Sequence, residues 1–265
     1  MGWPRRHAGR ALSGDVKVTE TTGAAPLREG WREDDSTLFI DYGRAFTPER
    51  ERQQAIMAEL VASVAPGRVV ELCCGSGDLL RLLLERLPEA RALALDGSPT
   101  MLAKTGESCA AHAGRLELRP FDLAARDWRG LQPAPDAICS SLAVHHLDGG
   151  QKQQLFKDLH GALRPGGIFV LADLIRPDSA AGWRIAAEDW DRAVAGRSVQ
   201  IYGDDRAERK FAELRWNYFW WPDDNTIDHP SSVAEHVAWL AEAGFEAIEL
   251  HWLLAGHAIF SARKP

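Results

Sequence analysis

The sequence predicts an α/β fold: a doubly wound, seven-stranded, mostly parallel sheet with a C-terminal antiparallel hairpin and a helical lid insertion. Three observations predict it. Short apolar runs alternate with segments of helical period from Arg68 to Ala172, the pattern of a parallel sheet covered on both faces. The first of these runs ends in the glycine turn Cys73-Cys74-Gly75-Ser76-Gly77, which opens a helix. The last two apolar runs are separated only by Leu253–Gly256, too short a link for a crossover helix, so they pair antiparallel.

In chain order, residues 1–30 lack periodicity and read as a disordered tail. Its basic start has no apolar stretch of the secretory kind, and Arg6 stands where a myristoylation signal needs Ser or Thr. The folded domain is expected over 31–265. Ser36–Phe46 mixes aromatic and polar residues and receives no element. Pro48 fits the first turn of a helix that reaches Val64, with Ile56, Leu60 and Val64 on one face.

Arg68–Leu72 is a β-branched strand. Leu79, Leu80, Leu83, Leu84 and Leu87 form the stripe of the next helix. Arg91–Leu95 is a second strand, and Ser98-Pro99 starts a helix. Leu116 and Leu118 mark a third strand, and Asp136–Cys139 a fourth. Leu155, Leu159 and Leu163 mark a helix, and Ile168–Ala172 is a fifth strand. Residues 176–231 interrupt the rhythm with a helical lid. Trp183, Ala187, Trp190 and Val194 share one helix face, and Phe211, Leu214 and Tyr218 mark a second helix. A helix at Ser231–Ala243 and strands Phe245–Trp252 and His257–Ala262 complete the chain.

The 265 residues, 45% of them hydrophobic, suffice for one core with room for a lid. No apolar run approaches the ~20 residues that span a bilayer, so no membrane partner is expected. The net charge of −7 favours solubility and lacks the basic footprint of a phosphate-backbone binder, which makes nucleic acid an unexpected partner. Cys73, Cys74, Cys109 and Cys139 form no CxxC pair, so neither a metal site nor a disulfide scaffold is expected, and the cytoplasm is the expected compartment. Oligomeric state is not legible.

Val69-Val70-Glu71-Leu72-Cys73-Cys74-Gly75-Ser76-Gly77-Asp78 carries the main chemical signal. Glycines let backbone approach a ligand, and open α/β sheets bind ligands beyond the carboxyl ends of their strands. The same motif also serves as a plain tight turn. A dinucleotide site would need G-x-G-x-x-G, and Leu80 stands at the third glycine position. An acid beside the loop repels a diphosphate and suits a cationic amino acid. Asp96, ending the second strand, can accept both hydroxyls of a ribose; equally, it is an acid at a helix start. Asp122 in Phe121-Asp122-Leu123 can accept from an adenine amino group, with Leu123 and Met101 as apolar walls; equally, it is a turn aspartate.

These residues, with the stretch from Pro135 to Leu147 and Leu163-Arg164-Pro165-Gly166-Gly167, resemble successive motifs of the class I S-adenosylmethionine-dependent methyltransferases. The resemblance covers about residues 36–263. It implies that S-adenosylmethionine is the cofactor. Glu71 and the backbone at Gly75 and Gly77 would hold its methionyl end, Asp96 its ribose, and Asp122 with Leu123 its adenine. Ser140 would offer a backbone carbonyl to the α-amino group, and the Tyr42 segment would cap the site. Cys73 departs from the family, which has a glycine there.

Such an enzyme must align the acceptor with the methyl group, exclude water and take a proton where the nucleophile carries one. His145 and His146 after the fourth strand are the candidate bases, or else loop anchors. Asp173, ending the fifth strand, is a candidate acceptor contact or a loop acid. Seven of the ten tryptophans follow residue 180, which suggests an aromatic lid facing a cavity through Trp183, Trp190, Tyr202, Trp216 or Trp220. The expected activity is O- or N-methylation of a small molecule. A tRNA-modifying methyltransferase is the rival enzyme, disfavoured because the eight basic residues of 176–231 are at least matched by acids. A non-catalytic S-adenosylmethionine-binding module is the third reading.

Overall fold

The computed structural model of the chain describes residues 30–265; the tail expected over 1–30 lies, apart from Gly30, outside the described residues. Seven strands form one sheet: β1 (Arg68–Leu72), β2 (Arg91–Asp96), β3 (Leu116–Pro120), β4 (Ala137–Ser141), β5 (Ile168–Leu174), β6 (Glu246–Leu254) and β7 (His257–Arg263). Their order is β3-β2-β1-β4-β5-β7-β6. The first five run parallel, and β7 lies antiparallel between β5 and β6. The chain winds outward in both directions from β1 and β4, which places the topological switch between their carboxyl ends.

The period-2 alternation of each strand sorts side chains to two cores. Val70, Leu72, Ile138, Phe169 and Leu171 face α5 (Gly149–Ala162) and α8 (Val233–Glu242). Val69, Ala137, Cys139 and Val170 face α2 (Arg50–Ala62) and α3 (Asp78–Arg86). This parity has chemical consequences. Glu71, in phase with Val69, points to the side where α2 begins. Asp173, in phase with Leu171, points toward α5 and α8.

The helix α4 (Pro99–Ser108) follows β2; the Ser98 hydroxyl caps it by accepting from Met101 N–H, and Pro99 starts it. The segment left without an element is a helix, α1 (Glu33–Phe46), whose first turn carries Glu33, Asp34 and Asp35 against the positive end of the helix dipole. Pro48 precedes α2 and sits outside its first turn, because Glu49 takes a left-handed backbone at φ 45°.

Residues 176–231 contain α6 (Ala180–Tyr202) and α7 (Arg206–Glu213). α7 stops before Leu214 and Tyr218, which the spacing had put on it: Trp216 N–H bonds back to the Phe211 carbonyl and Arg215 is left-handed at φ 49°. Trp190, Val194, Phe211 and Phe219 pack with Ala45 and Phe46 of α1 into a satellite core that reaches Leu174 and Ala255. Among the described residues no helix is long and apolar enough to cross a membrane.

Candidate active site

The candidate donor side is built where β1 gives way to α3. Gly75 and Gly77 have φ of 56° and 80°, and Cys73 takes the same left-handed region at 54°. The cysteine thus occupies the conformation that the family's glycine supplies, at the usual cost of a Cβ there. A Cβ on Gly77 would lie 2.9 Å from the Thr105 Cα, whereas one on Gly75 would meet nothing within 4 Å. The loop is therefore packed on one side and open on the other, as a ligand cradle requires. Thr105 Oγ1 donates to the Gly75 carbonyl at 2.8 Å.

Asp96 accepts from Gly75 N–H and from Ser98 N–H, both at 2.9 Å. Burial pushes its carboxyl above the usual range, against the pull of these bonds. It organises the start of α4, and each oxygen keeps acceptor capacity.

Glu71 is 2% exposed, and its Oε2 has no hydrogen-bond partner among the described residues. Burial drives its carboxyl well above the ordinary range; Arg50 opposes this, while Asp96 and Asp78 add to it. The Arg50 guanidinium stands 3.6 Å from Asp78, and its Nε likewise has no partner among the described residues. Arg50 was missed by the sequence reading, since a charge at a helix start is ordinary on a surface. A buried carboxylate and a half-buried guanidinium, each with an atom lacking a hydrogen-bond partner among the described residues, beside a glycine loop suit the ammonium and carboxylate of an α-amino acid.

The other donor-side candidates differ in setting. Met101 is buried on α4 at 3% exposure. Ser140 is fully buried, its hydroxyl donating to the Leu72 carbonyl at 3.0 Å, so the ends of β1 and β4 are tied together. Asp122 is exposed and accepts from Ala124 N–H at 2.9 Å, the turn-aspartate arrangement, with Leu123 half-buried beside it. Tyr42 packs on Phe46 and Tyr202 at ring separations of 5.7 and 5.9 Å, as part of the satellite core. Its ring contacts thus lie with α1 and α6.

The candidate acceptor side lies after β4 and β5. The short turn Val144–His146 puts His145 Nδ1 2.5 Å from Asp173 Oδ1. Asp228 Oδ1 stands 3.4 Å from His145 Nε2 and 2.9 Å from His146 Nδ1. Burial disfavours a charged His145, but Asp173 and Asp228 outweigh it and hold its pKa above the ordinary histidine value. Burial likewise opposes the Asp173 and Asp228 charges, and the neighbouring histidines overcome it, holding both carboxyls below the usual range. His145, His146 and Asp173, predicted separately, therefore form one cluster. Asp228 was missed because nothing in its sequence distinguishes it from the other lid acids.

Lys152 of α5 is also new: wholly buried, it donates to the His229 carbonyl and, at 2.9 Å, to Ser231 Oγ. His229 N–H donates to the His145 carbonyl at 2.7 Å. These bonds fasten the segment carrying Asp228 to the end of β4. Trp31 covers the cluster, its ring 5.7 Å from His146 and 6.3 Å from Trp216. Trp190 is core, donating its indole N–H to the Phe46 carbonyl at 2.7 Å. Trp183 packs on Tyr218 and Phe219, and Trp220 is 40% exposed. Trp216 is thus joined to the His146 side through Trp31.

Residues 69–167 match the family model of a methyltransferase domain. The chain carries a class I S-adenosylmethionine-dependent methyltransferase domain, and S-adenosylmethionine is the cofactor of that class. It is 32% identical over 174 residues to a trans-aconitate 2-methyltransferase of Acidovorax ebreus, an alignment covering 60% of this chain and 63% of the relative. The chain thus spans less than two thirds of the length of that curated relative. An O-methyltransferase family 2 protein of Planctomyces limnophilus, solved with apigenin, matches at TM-score 0.58 and 19% identity over 88% of this chain and 61% of its own. The N-methyltransferase NodS of Bradyrhizobium japonicum, solved with S-adenosyl-L-homocysteine, matches at TM-score 0.53 and 15% identity over 82% and 87%. These two structures share the fold.

Proposed function

We propose that this chain transfers a methyl group from S-adenosylmethionine to an oxygen or nitrogen of a small-molecule acceptor. The observation that carries this reading is the pairing of two sites at one sheet edge. Glu71 Oε2 and Arg50 Nε, neither with a hydrogen-bond partner among the described residues, flank the glycine loop, and the His145–His146–Asp173 cluster lies at the ends of the neighbouring strands. The bound cofactor supplies a methyl group already activated on sulfonium, so the chain's own residues have the work of binding and orientation.

Glu71 would take the ammonium of the methionyl end and Arg50 its carboxylate. Asp96 would take the ribose hydroxyls while keeping its bonds to Gly75 and Ser98. Met101 would wall the adenine, with Asp122 and Leu123 at its rim, Ser140 beside the methionyl end and Tyr42 bracing the cap from the lid side. On the acceptor side, Asp173 fixes the His145 ring, and His146, with 23% of its side chain exposed, is the imidazole reachable from outside. The lid of 176–231 and α1 exclude water from the edge where the two sides meet. A relative named for trans-aconitate supports a small acceptor. So does the charge of the lid, whose bases are at least matched by acids.

The test is transfer of labelled methyl to a panel of small carboxylic acids, phenols and amines set beside unmodified tRNA. Labelling of a small acceptor is the expected result. Labelling of tRNA alone would overturn the proposal, and cofactor binding with no transfer to any class would favour the binding-module reading.

A further inference from the structure

We propose that His145, His146 and Asp228 form a binding site for a first-row divalent transition-metal ion of the zinc class. The three side chains each offer one ligand atom, and these atoms lie within 4.8 Å of one another. Two imidazoles and a carboxylate are a donor set for such ions that leaves coordination places open. With metal–ligand bonds of 2.0–2.1 Å, neighbouring ligands of a tetrahedral ion stand about 3.3 Å apart. The 3.4 Å and 2.9 Å separations from Asp228 Oδ1 to the two imidazole nitrogens are close to that spacing.

The surroundings favour an ion as much as the donors do. Ligating histidines characteristically give their other ring nitrogen to a carboxylate, which fixes tautomer and orientation. Here Asp173 occupies that place on His145 Nδ1 at 2.5 Å, so Nε2 is the nitrogen directed at Asp228. Asp228 has its own support: Asn225 Nδ2 donates to Asp228 Oδ2 at 2.5 Å, leaving Oδ1 for the shared centre. Asn225 Oδ1 in turn accepts the N–H groups of Ile227 and Asp228, and Lys152 anchors the same segment through His229 and Ser231. His146 and Asp228 keep 23% and 15% of their side chains exposed, so the centre is reachable from solvent.

The use of the ion rests on the proposed methyl transfer: an open coordination place at the ends of β4 and β5 would grip an acceptor oxygen or nitrogen by Lewis acidity. The competing account of the cluster is an ion-pair latch that closes residues 225–231 onto β4 with no ion at all.

The full chain, stripped with chelator and dialysed, is titrated with cobalt(II) and read by its visible d–d absorption, then challenged with zinc(II). A band that saturates at one equivalent and is displaced by zinc is expected. His146→Ala and Asp228→Asn should each weaken cobalt binding by about 100-fold or more, and Asp173→Asn by about 10- to 100-fold. No saturable band in the wild type, or wild-type affinity in His146→Ala, would overturn the site. His146 is part-exposed, so that variant decides if Asp228→Asn fails to fold by circular dichroism. Calorimetry with S-adenosyl-L-homocysteine runs separately: failure there sinks the methyltransferase reading and leaves the metal result standing.

Discussion

Gly75 gives its backbone N–H to Asp96 Oδ2 at 2.9 Å, so the turn after β1 is fastened to the end of β2. With the matching bond from Ser98, one carboxylate shapes two loops. Removing it would do more than delete the proposed ribose contact. Asp96→Ala should lower stability by about 1–3 kcal/mol, because two N–H groups lose their acceptor. It should also weaken S-adenosyl-L-homocysteine binding by roughly 10- to 150-fold. Asp96→Asn, which keeps an acceptor oxygen, should fall between. Urea unfolding and calorimetry measure the two effects, and an unchanged midpoint in Asp96→Ala would show that the loops hold themselves.

Glu71 supplies a pH-linked prediction. Its burial raises the carboxyl pKa, so the free protein favours the protonated form more than an ordinary glutamate would. Accepting an ammonium group requires the charged form. Cofactor binding should therefore release protons, and its affinity should rise with pH until the carboxyl is ionised. Calorimetry in buffers of different ionisation enthalpy should give a nonzero proton count for the wild type and a smaller one for Glu71→Gln. The variant's affinity should drop roughly 10- to 150-fold, the loss expected for one charge-assisted bond. Identical proton counts in the two proteins would remove Glu71 from the binding step.

How much of this was legible depends on distance along the chain. The strands could be read because each is a local period-2 or all-apolar run, and the glycine turn because its residues are contiguous. The helix α1 escaped because its apolar residues Tyr42 and Phe46 face a lid roughly 150 residues downstream in sequence. Asp173 and the two histidines were predicted as separate candidates at strand ends, but their union with Asp228 is a tertiary event. Arg50 and Lys152 were invisible for the same reason: burial of a charge is decided by partners elsewhere in the chain.

Trp190 should behave as a structural tryptophan. Trp190→Phe leaves the Phe46 carbonyl without its 2.7 Å indole donor and opens space in the satellite core. A loss of about 2 kcal/mol in urea unfolding is expected. Trp220→Phe, at a position 40% exposed, should change stability by no more than about 0.5 kcal/mol. Equal effects would mean that the lid is not anchored through Trp190.

His257 sets an acid limit. It is 1% exposed, with Trp190 edge-on at 4.7 Å, and burial pushes its pKa down to about 4, against the partial help of the Ala255 carbonyl. The unfolded chain takes up the proton near its ordinary value of about 6.5 while the folded chain does not. Stability should therefore fall as pH drops from about 6.5 to about 4, by up to roughly 3 kcal/mol from this residue. His257→Gln should flatten that part of the profile in urea unfolding measured across the window. A wild-type slope in the variant would assign the loss to other groups.

The N-terminal end of α1 touches both halves of the site: Glu33 receives the Ser98 hydroxyl at 3.1 Å, while Trp31, just ahead of the helix, lies against His146. On the proposed function, one short stretch would therefore guard the nucleoside end and the acceptor end together, and a displacement that freed one would loosen the other. The consequence would be kinetic: with one stretch against both ends, entry and exit would become correlated events.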